Sequence, residues 1–259
     1  MSGAGENVMN SEHRVAWITG AGKGIGRALA QRLAREGWTV AASARTREDL
    51  SSLAQEFPER IHPYVMDVTD PTATQTVIAN IEQQLGAVTL AVLNAGTYIP
   101  TDAQFFNTQS FRTQFEINVM GTVNGLAEIV PRFVARRAGH IAVMASVAGY
   151  RGLPHAAAYG ATKAAIINMC EAMSVELEPH GVVMSVICPG FVKTPLTDKN
   201  AFPMPLIISA EDAADYIFRG LNARRFEIAF PPLFAAMMKL LRILPYRVFF
   251  AIARRMRRS

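Results

Sequence analysis

Thr19-Gly20-Ala21-Gly22-Lys23-Gly24-Ile25-Gly26-Arg27 joins an apolar run, Arg14–Thr19, to an amphipathic stretch, Ile25–Glu36. Glycine has no Cβ and tolerates positive φ, so this turn can be tight, let a pyrophosphate approach the backbone, and pack a helix closely on a strand. The N-terminus of the helix behind it offers free N–H groups to phosphate oxygens. The pattern carries weight because it stands between a strand and a helix.

Outward from that turn the same alternation repeats. Apolar runs rich in Val, Ile and Ala predict strands at Thr39–Ala44, Ile61–Met66, Thr89–Asn94, His140–Ala145, Val182–Cys188 and Glu227–Phe230. Most show little polar alternation, as strands covered on both faces do. Helical patterns lie between them at Arg47–Glu56, Pro71–Leu85, Ser110–Arg136, Ala156–Glu178 and Ala210–Leu221. Thr69-Asp70 supplies a cap with Pro71 at the first helical position, and Ser209 caps a turn opening with Glu211 and Asp212. The expected architecture is α/β: a three-layer, doubly wound, mostly parallel seven-stranded sheet. Residues 13–230 form one domain, 1–12 a frayed leader, and 231–259 a helical tail. With 259 residues, against about 150 per typical domain, one large unit is reasonable.

Half of the residues are apolar and 18% are charged, which excludes a disordered chain. The net charge of +5 suggests a nucleic-acid partner, but its distribution argues against one. Seven bases and no acid follow Glu227, which leaves residues 1–227 at −2. Cys170 and Cys188 sit in apolar contexts, so neither a disulfide framework nor a metal site is expected. A reducing, cytoplasmic setting follows. Met1–Glu12 lacks the apolar core of a signal peptide, and no uncharged apolar run is long enough for an ordinary membrane span.

The end of the second strand bears on cofactor choice. An NAD site would place Asp or Glu there for the ribose hydroxyls. Here Ala44-Arg45 stands instead. Arg45 can pair with a 2′-phosphate, and Lys23 can add a second charge, so NADP(H) is expected ahead of NAD(H). Asp67-Val68, after the third strand, is placed to edge an adenine. Tyr159 and Lys163 are four residues apart on a predicted helix and share a face. A free phenol, with pKa about 10, is a poor base near neutrality, and a nearby ammonium lowers it. Ser146, ending the preceding strand, can hydrogen-bond a substrate oxygen. Together they make an acid/base device for interconverting alcohol and carbonyl while a cofactor carries hydride.

Thr19-Gly20, Gly24-Ile25-Gly26, Asp67-Val68, Asn94-Ala95-Gly96, Asn118, Ser146, Tyr159, Lys163 and Pro189-Gly190 occur in an order and spacing that resemble the classical short-chain dehydrogenases/reductases. Lys23 and Arg45 match the basic pair of that family's NADP-preferring subgroup. The resemblance implies a Rossmann-type domain. It implies that Asn94, Ala95 and Gly96 support the sheet beside the adenine. Asn118 would kink its helix and hold a water relaying protons to Lys163. Ser146 would orient the carbonyl, Tyr159 would be the proton donor or acceptor, and Lys163 would bind the nicotinamide ribose. Pro189, Gly190, Val192 and Thr194 would hold the nicotinamide end. It also implies a homodimer through the Ser110–Arg136 and Ala156–Glu178 helices, with a tetramer open. Leu93 stands where the family usually has a first asparagine.

The loops at the strand ends, Thr97–Gln104, Val147–His155 and Pro195–Ile208, contribute Tyr98, Ile99, Tyr150, Leu153, Leu196, Phe202, Met204, Leu206 and Ile207. That lining suits a small hydrophobic carbonyl or alcohol substrate. Phe202-Pro203-Met204-Pro205 reads as a lid. The function expected is an NADP-dependent oxidoreductase interconverting a secondary alcohol and a ketone. The alternatives are a reductase of 3-oxoacyl thioesters on acyl carrier protein or coenzyme A, and a non-catalytic dinucleotide-binding regulatory or scaffold protein. The tail reads as two helices, Leu233–Leu244 and Tyr246–Arg258, apolar with basic edges. It suits peripheral contact with an anionic membrane; the alternatives are packing over the cleft or against a sister subunit.

Overall fold

A computed structural model describes residues 14–198 and 204–256. The expectations for Met1–Glu12, for Phe202 and Pro203 of the lid, and for Arg257 and Arg258 lie outside the described residues. Seven parallel strands are ordered β3-β2-β1-β4-β5-β6-β7. They are β1 Val15–Thr19, β2 Thr39–Ala44, β3 Ile61–Val65, β4 Val88–Leu93, β5 Gly139–Met144, β6 Val182–Pro189 and β7 Glu227–Phe230. All seven expected strands are present, with ends displaced by at most one residue. β3 contains Pro63, which cannot donate to a ladder, and it lies at the sheet edge with alternating burial.

The strand side chains alternate between two cores. Val15, Trp17, Ala91, Leu93, Ile141 and Val143 face α3 (Pro71–Leu85), α5 (Gly121–Arg136) and α6 (Ala157–Leu177). Ala16, Ile18, Val40, Val92 and Ala142 face α1 (Gly24–Arg35), α2 (Arg47–Glu56) and α7 (Ala210–Asn222). The expected caps form: Asp70 accepts from the Ala73 amide, and Ser209 and Asp212 make a reciprocal capping box. The strand order reverses between β1 and β4. Their carboxyl ends therefore splay apart and open a crevice.

The helix expected over Ser110–Arg136 by periodicity is interrupted around Asn118, where the resemblance implied a kink. α4 (Thr108–Phe115) and α5 flank a π-helical turn, Glu116–Met120. The cause is tertiary. The Asn118 side chain accepts from the Thr97 amide at 2.7 Å and donates to the Thr97 carbonyl and to Thr162 Oγ1. That anchor holds the helix in its wider turn.

The tail forms α8 (Pro232–Ile243) and α9 (Tyr246–Met256). Leu244 is extended, as the residue before Pro245 prefers. Ala235 and Met238 of α8 and Phe249 of α9 are buried. Phe234 packs on Phe191, ring centres 5.4 Å apart. The tail thus docks on the loops that follow β5 and β6.

Candidate active site

At the crevice Thr19 and Asn94 stitch β1 to β4. Thr19 Oγ1 accepts from the Asn94 and Ala95 amides at 2.9 and 3.0 Å. Asn94 Nδ2 donates to the Thr19 and Gly20 carbonyls. A Cβ on Gly26 would stand 2.4 Å from the Gly20 carbonyl oxygen and 2.5 Å from Asn94 Nδ2. The α1 helix can sit this close to the strand only because Gly26 has no side chain. Gly24 has φ +55, and its absent Cβ would lie 3.0 Å from Thr194 Cγ2. The turn is therefore a backbone cradle facing the loop after β6.

A cavity of about 240 Å³ occupies this crevice. Gly20, Lys23, Gly24, Ile25 and Gly26 line it from the turn, and Asn94, Ala95 and Gly96 from the end of β4. Tyr159 and Lys163 line it from α6, and Pro189 and Thr194 from beyond β6. Ser146 is buried at the end of β5; its hydroxyl accepts from the Ala148 amide and donates to the Pro189 carbonyl.

Burial pushes the Tyr159 phenol up to about 12, with the Ser146 hydroxyl acting against the rise. Burial lowers Lys163 to about 8. The expected depression of the tyrosine by the lysine is not present. The Lys163 ammonium donates to the Met144 carbonyl at 2.7 Å and lies 5.6 Å from the Tyr159 ring centre. Gly96 leaves room beside both groups behind the tyrosine: its absent Cβ would be 3.3 Å from Asn118 Oδ1 and 3.6 Å from Lys163 Nζ.

Several expected residues do not line the cavity. Arg45 is exposed near the end of β2, and Asp67 closes a turn by accepting from the Thr69 amide and hydroxyl. Val68 packs against Gly121 instead. Val192 is buried and bridges to Ile208, while Gly190 faces Phe234 of the tail at 2.6 Å from its absent Cβ. Lys23 is paired with Asp49 of α2 at 3.2 Å, although it remains 63% exposed. Of the substrate-side residues, Tyr98 meets Tyr159 edge to face at 5.2 Å and Leu196 lines the cavity. Tyr150 turns away, its hydroxyl donating to Glu227. Thr97 and Pro195, which open two of the expected substrate-side loops, also line the cavity, as do Met144 and Ala145, which were not expected. Met144 and Ala145 adjoin Ser146, so the end of the strand was itself a usable signal.

The model of the short chain dehydrogenase family matches residues 14–203. An uncharacterized oxidoreductase of Myxococcus xanthus is 37% identical over 248 residues, covering 95% of this chain and 98% of that protein. A 3-oxoacyl acyl-carrier-protein reductase of Thermotoga maritima is 34% identical over 196 residues, 74% of this chain and 79% of that protein. A short-chain dehydrogenase/reductase of Burkholderia phymatum, solved in complex with NAD, superposes with TM-score 0.81 at 26% identity, covering 88% of this chain and 92% of that one. The chain belongs to the short-chain dehydrogenase/reductase family. It is an oxidoreductase of the kind that works with a nicotinamide dinucleotide.

Proposed function

We propose that this enzyme interconverts a secondary alcohol and a ketone, or an aldehyde and its alcohol, on a largely hydrophobic substrate, with NADP(H) preferred. The observation that carries the reading is the meeting of Tyr159 and Lys163 with the glycine cradle in one cavity. The side-chain-free backbone at Gly20, Gly24 and Gly26 fits a pyrophosphate. In this reading Lys23 and Arg45 hold a 2′-phosphate, Asp67 and Val68 edge the adenine, and Asn94, Ala95 and Gly96 support it. Pro189, Gly190, Val192 and Thr194 secure the nicotinamide end. When bound, the nicotinamide gives or takes hydride at the substrate carbon.

The protein's own groups handle the proton. A phenol held up near 12 is protonated at neutral pH, so Tyr159 is set as the acid for carbonyl reduction. Ser146 orients the carbonyl oxygen toward it. In this reading Lys163, still mostly charged at pH 7, binds the nicotinamide ribose. Asn118 stands behind Lys163 at Gly96 and supports return of the proton. Tyr159→Phe tests the assignment: turnover falls by about 10²–10⁴-fold while NADPH still binds. Near-normal turnover would refute it.

Likeness to the Thermotoga reductase favours a second reading, reduction of a 3-oxoacyl thioester. Rates on a 3-oxoacyl thioester against a panel of free ketones separate the two.

A further inference from the structure

The two tail helices divide chemical labour on their outward faces. On α8, Leu233, Met237, Leu240 and Ile243 are exposed, Leu233 at 63% and Ile243 at 76%. Their spacing puts them on one stripe, opposite the buried Ala235 and Met238. On α9, Arg247 and Arg254 are seven residues apart and both exposed, with Phe250 beside them and Phe249 buried underneath. Exposure here is not fraying. Arg151 clamps the junction by donating to the Arg242 and Leu244 carbonyls and stacking on Tyr246 and Phe249.

A second cavity, about 470 Å³, opens where α8 meets α7 and β7. Arg219, Arg225 and Lys239 line it against a single carboxylate, Glu227, which Lys239 already pairs. An apolar face is thus bordered by unbalanced positive charge on two sides. An ordinary apolar subunit contact would have no need of that charge. An anionic bilayer surface answers both features, taking Leu and Met side chains below the headgroups and arginines among the phosphates.

We infer that the α8–α9 face binds the surface of an anionic phospholipid membrane, lying in its plane. The tail joins the domain at the carboxyl edge of the sheet, so this seat holds the cleft close to the lipid.

Co-sedimentation of the full chain with phosphatidylcholine vesicles, with and without phosphatidylglycerol, tests this. The chain should bind only the anionic vesicles and release as salt rises. Met237→Glu with Leu240→Glu, and separately Arg247→Glu with Arg254→Glu, should each weaken binding by about tenfold or more. All four side chains are exposed, so melting curves and ketone reduction in solution should match the parent and show that both variants fold. Three outcomes would overturn the inference: no binding to anionic vesicles, equal binding to neutral ones, or binding indifferent to both variants. Sedimentation velocity distinguishes the rival occupant. If Met237→Glu with Leu240→Glu splits an oligomer and leaves vesicle binding unchanged, the face is a contact between copies.

Discussion

The Lys163 ammonium donates to the Met144 carbonyl at 2.7 Å, holding a charge between α6 and the end of β5 where little water reaches. Burial lowers its pKa from 10.5 to about 8. Between those values the folded chain binds fewer protons than the unfolded one, so this group makes stability rise with pH. Below pH 8 the charge is present in both states and its desolvation opposes folding in full. The contribution amounts to about 3 kcal/mol across the window. Urea unfolding of the parent and Lys163→Met, at neutral pH and near pH 10, should show the parent gaining on the variant as pH rises. A difference that stays flat with pH would mean the ammonium is not desolvated.

Cofactor selectivity should rest more on Arg45 than on Lys23. Arg45 is exposed and has no ion-pair partner among the described residues, whereas Lys23 is held by Asp49. Arg45→Ala should weaken NADPH by about tenfold or more and leave NADH nearly unchanged, since an arginine–phosphate pair is charge-assisted and bidentate. Lys23→Ala should do less. Asp49→Asn should tighten NADPH by freeing Lys23. Fluorescence titration of both cofactors reads all three, and equal losses for NADPH and NADH in Arg45→Ala would remove the phosphate assignment.

The glycine turn makes a sharper structural prediction. An added methyl at Gly26 would meet the Gly20 carbonyl at 2.4 Å and Asn94 Nδ2 at 2.5 Å, both held by the Thr19–Asn94 bonds. Gly26→Ala must therefore push α1 off the sheet, costing about 1–3 kcal/mol as overpacking does, and cofactor affinity should fall with it. Gly152 is the control: nothing lies within 4 Å of its added Cβ. Gly152→Ala should stay within about 0.5 kcal/mol of the parent by denaturant unfolding.

What could be read from the chain alone was what depends on near neighbours in sequence. Tyr159 and Lys163 are four apart on a helix, and the glycine turn is continuous, so periodicity and turn chemistry place them. The Asp70 and Ser209 caps are local in the same way. The misses are contacts that only the fold creates. Periodicity gives no sign of the π turn at Asn118, which only the family resemblance implies, because Thr97, 21 residues away, holds its side-chain amide. Lys23 finds Asp49 only once α2 lies beside the turn. Tyr150, expected on the substrate side, turns to Glu227, 77 residues on. Burial pushes its phenol far above the ordinary value, and the Glu227 contact adds to the rise. No pattern within either segment signals that pairing.

Tyr150 and Arg151 are consecutive, and both hold the tail to the segment that begins at Ser146. Tyr150 reaches Glu227, which Lys239 of α8 also pairs, and Arg151 spans the α8–α9 junction. Arg151 makes two hydrogen bonds of 3.3 Å and lies over two rings at 4.5 and 4.4 Å. Long bonds and partly exposed cation–π contacts together contribute about 2 kcal/mol to docking. Arg151→Ala should then raise the undocked population about thirtyfold. Because cleavage follows the open population when reclosing is fast, trypsin should cut near Arg242 and Arg247 correspondingly faster. Arg151→Lys should rescue little, since an ammonium cannot serve both carbonyls as a planar fork does. The melting of the sheet domain should change far less, because Ala235 and Met238 keep α8 anchored. Parent-like cleavage in Arg151→Ala would show that burial of Phe249, rather than the arginine, holds the last helix down.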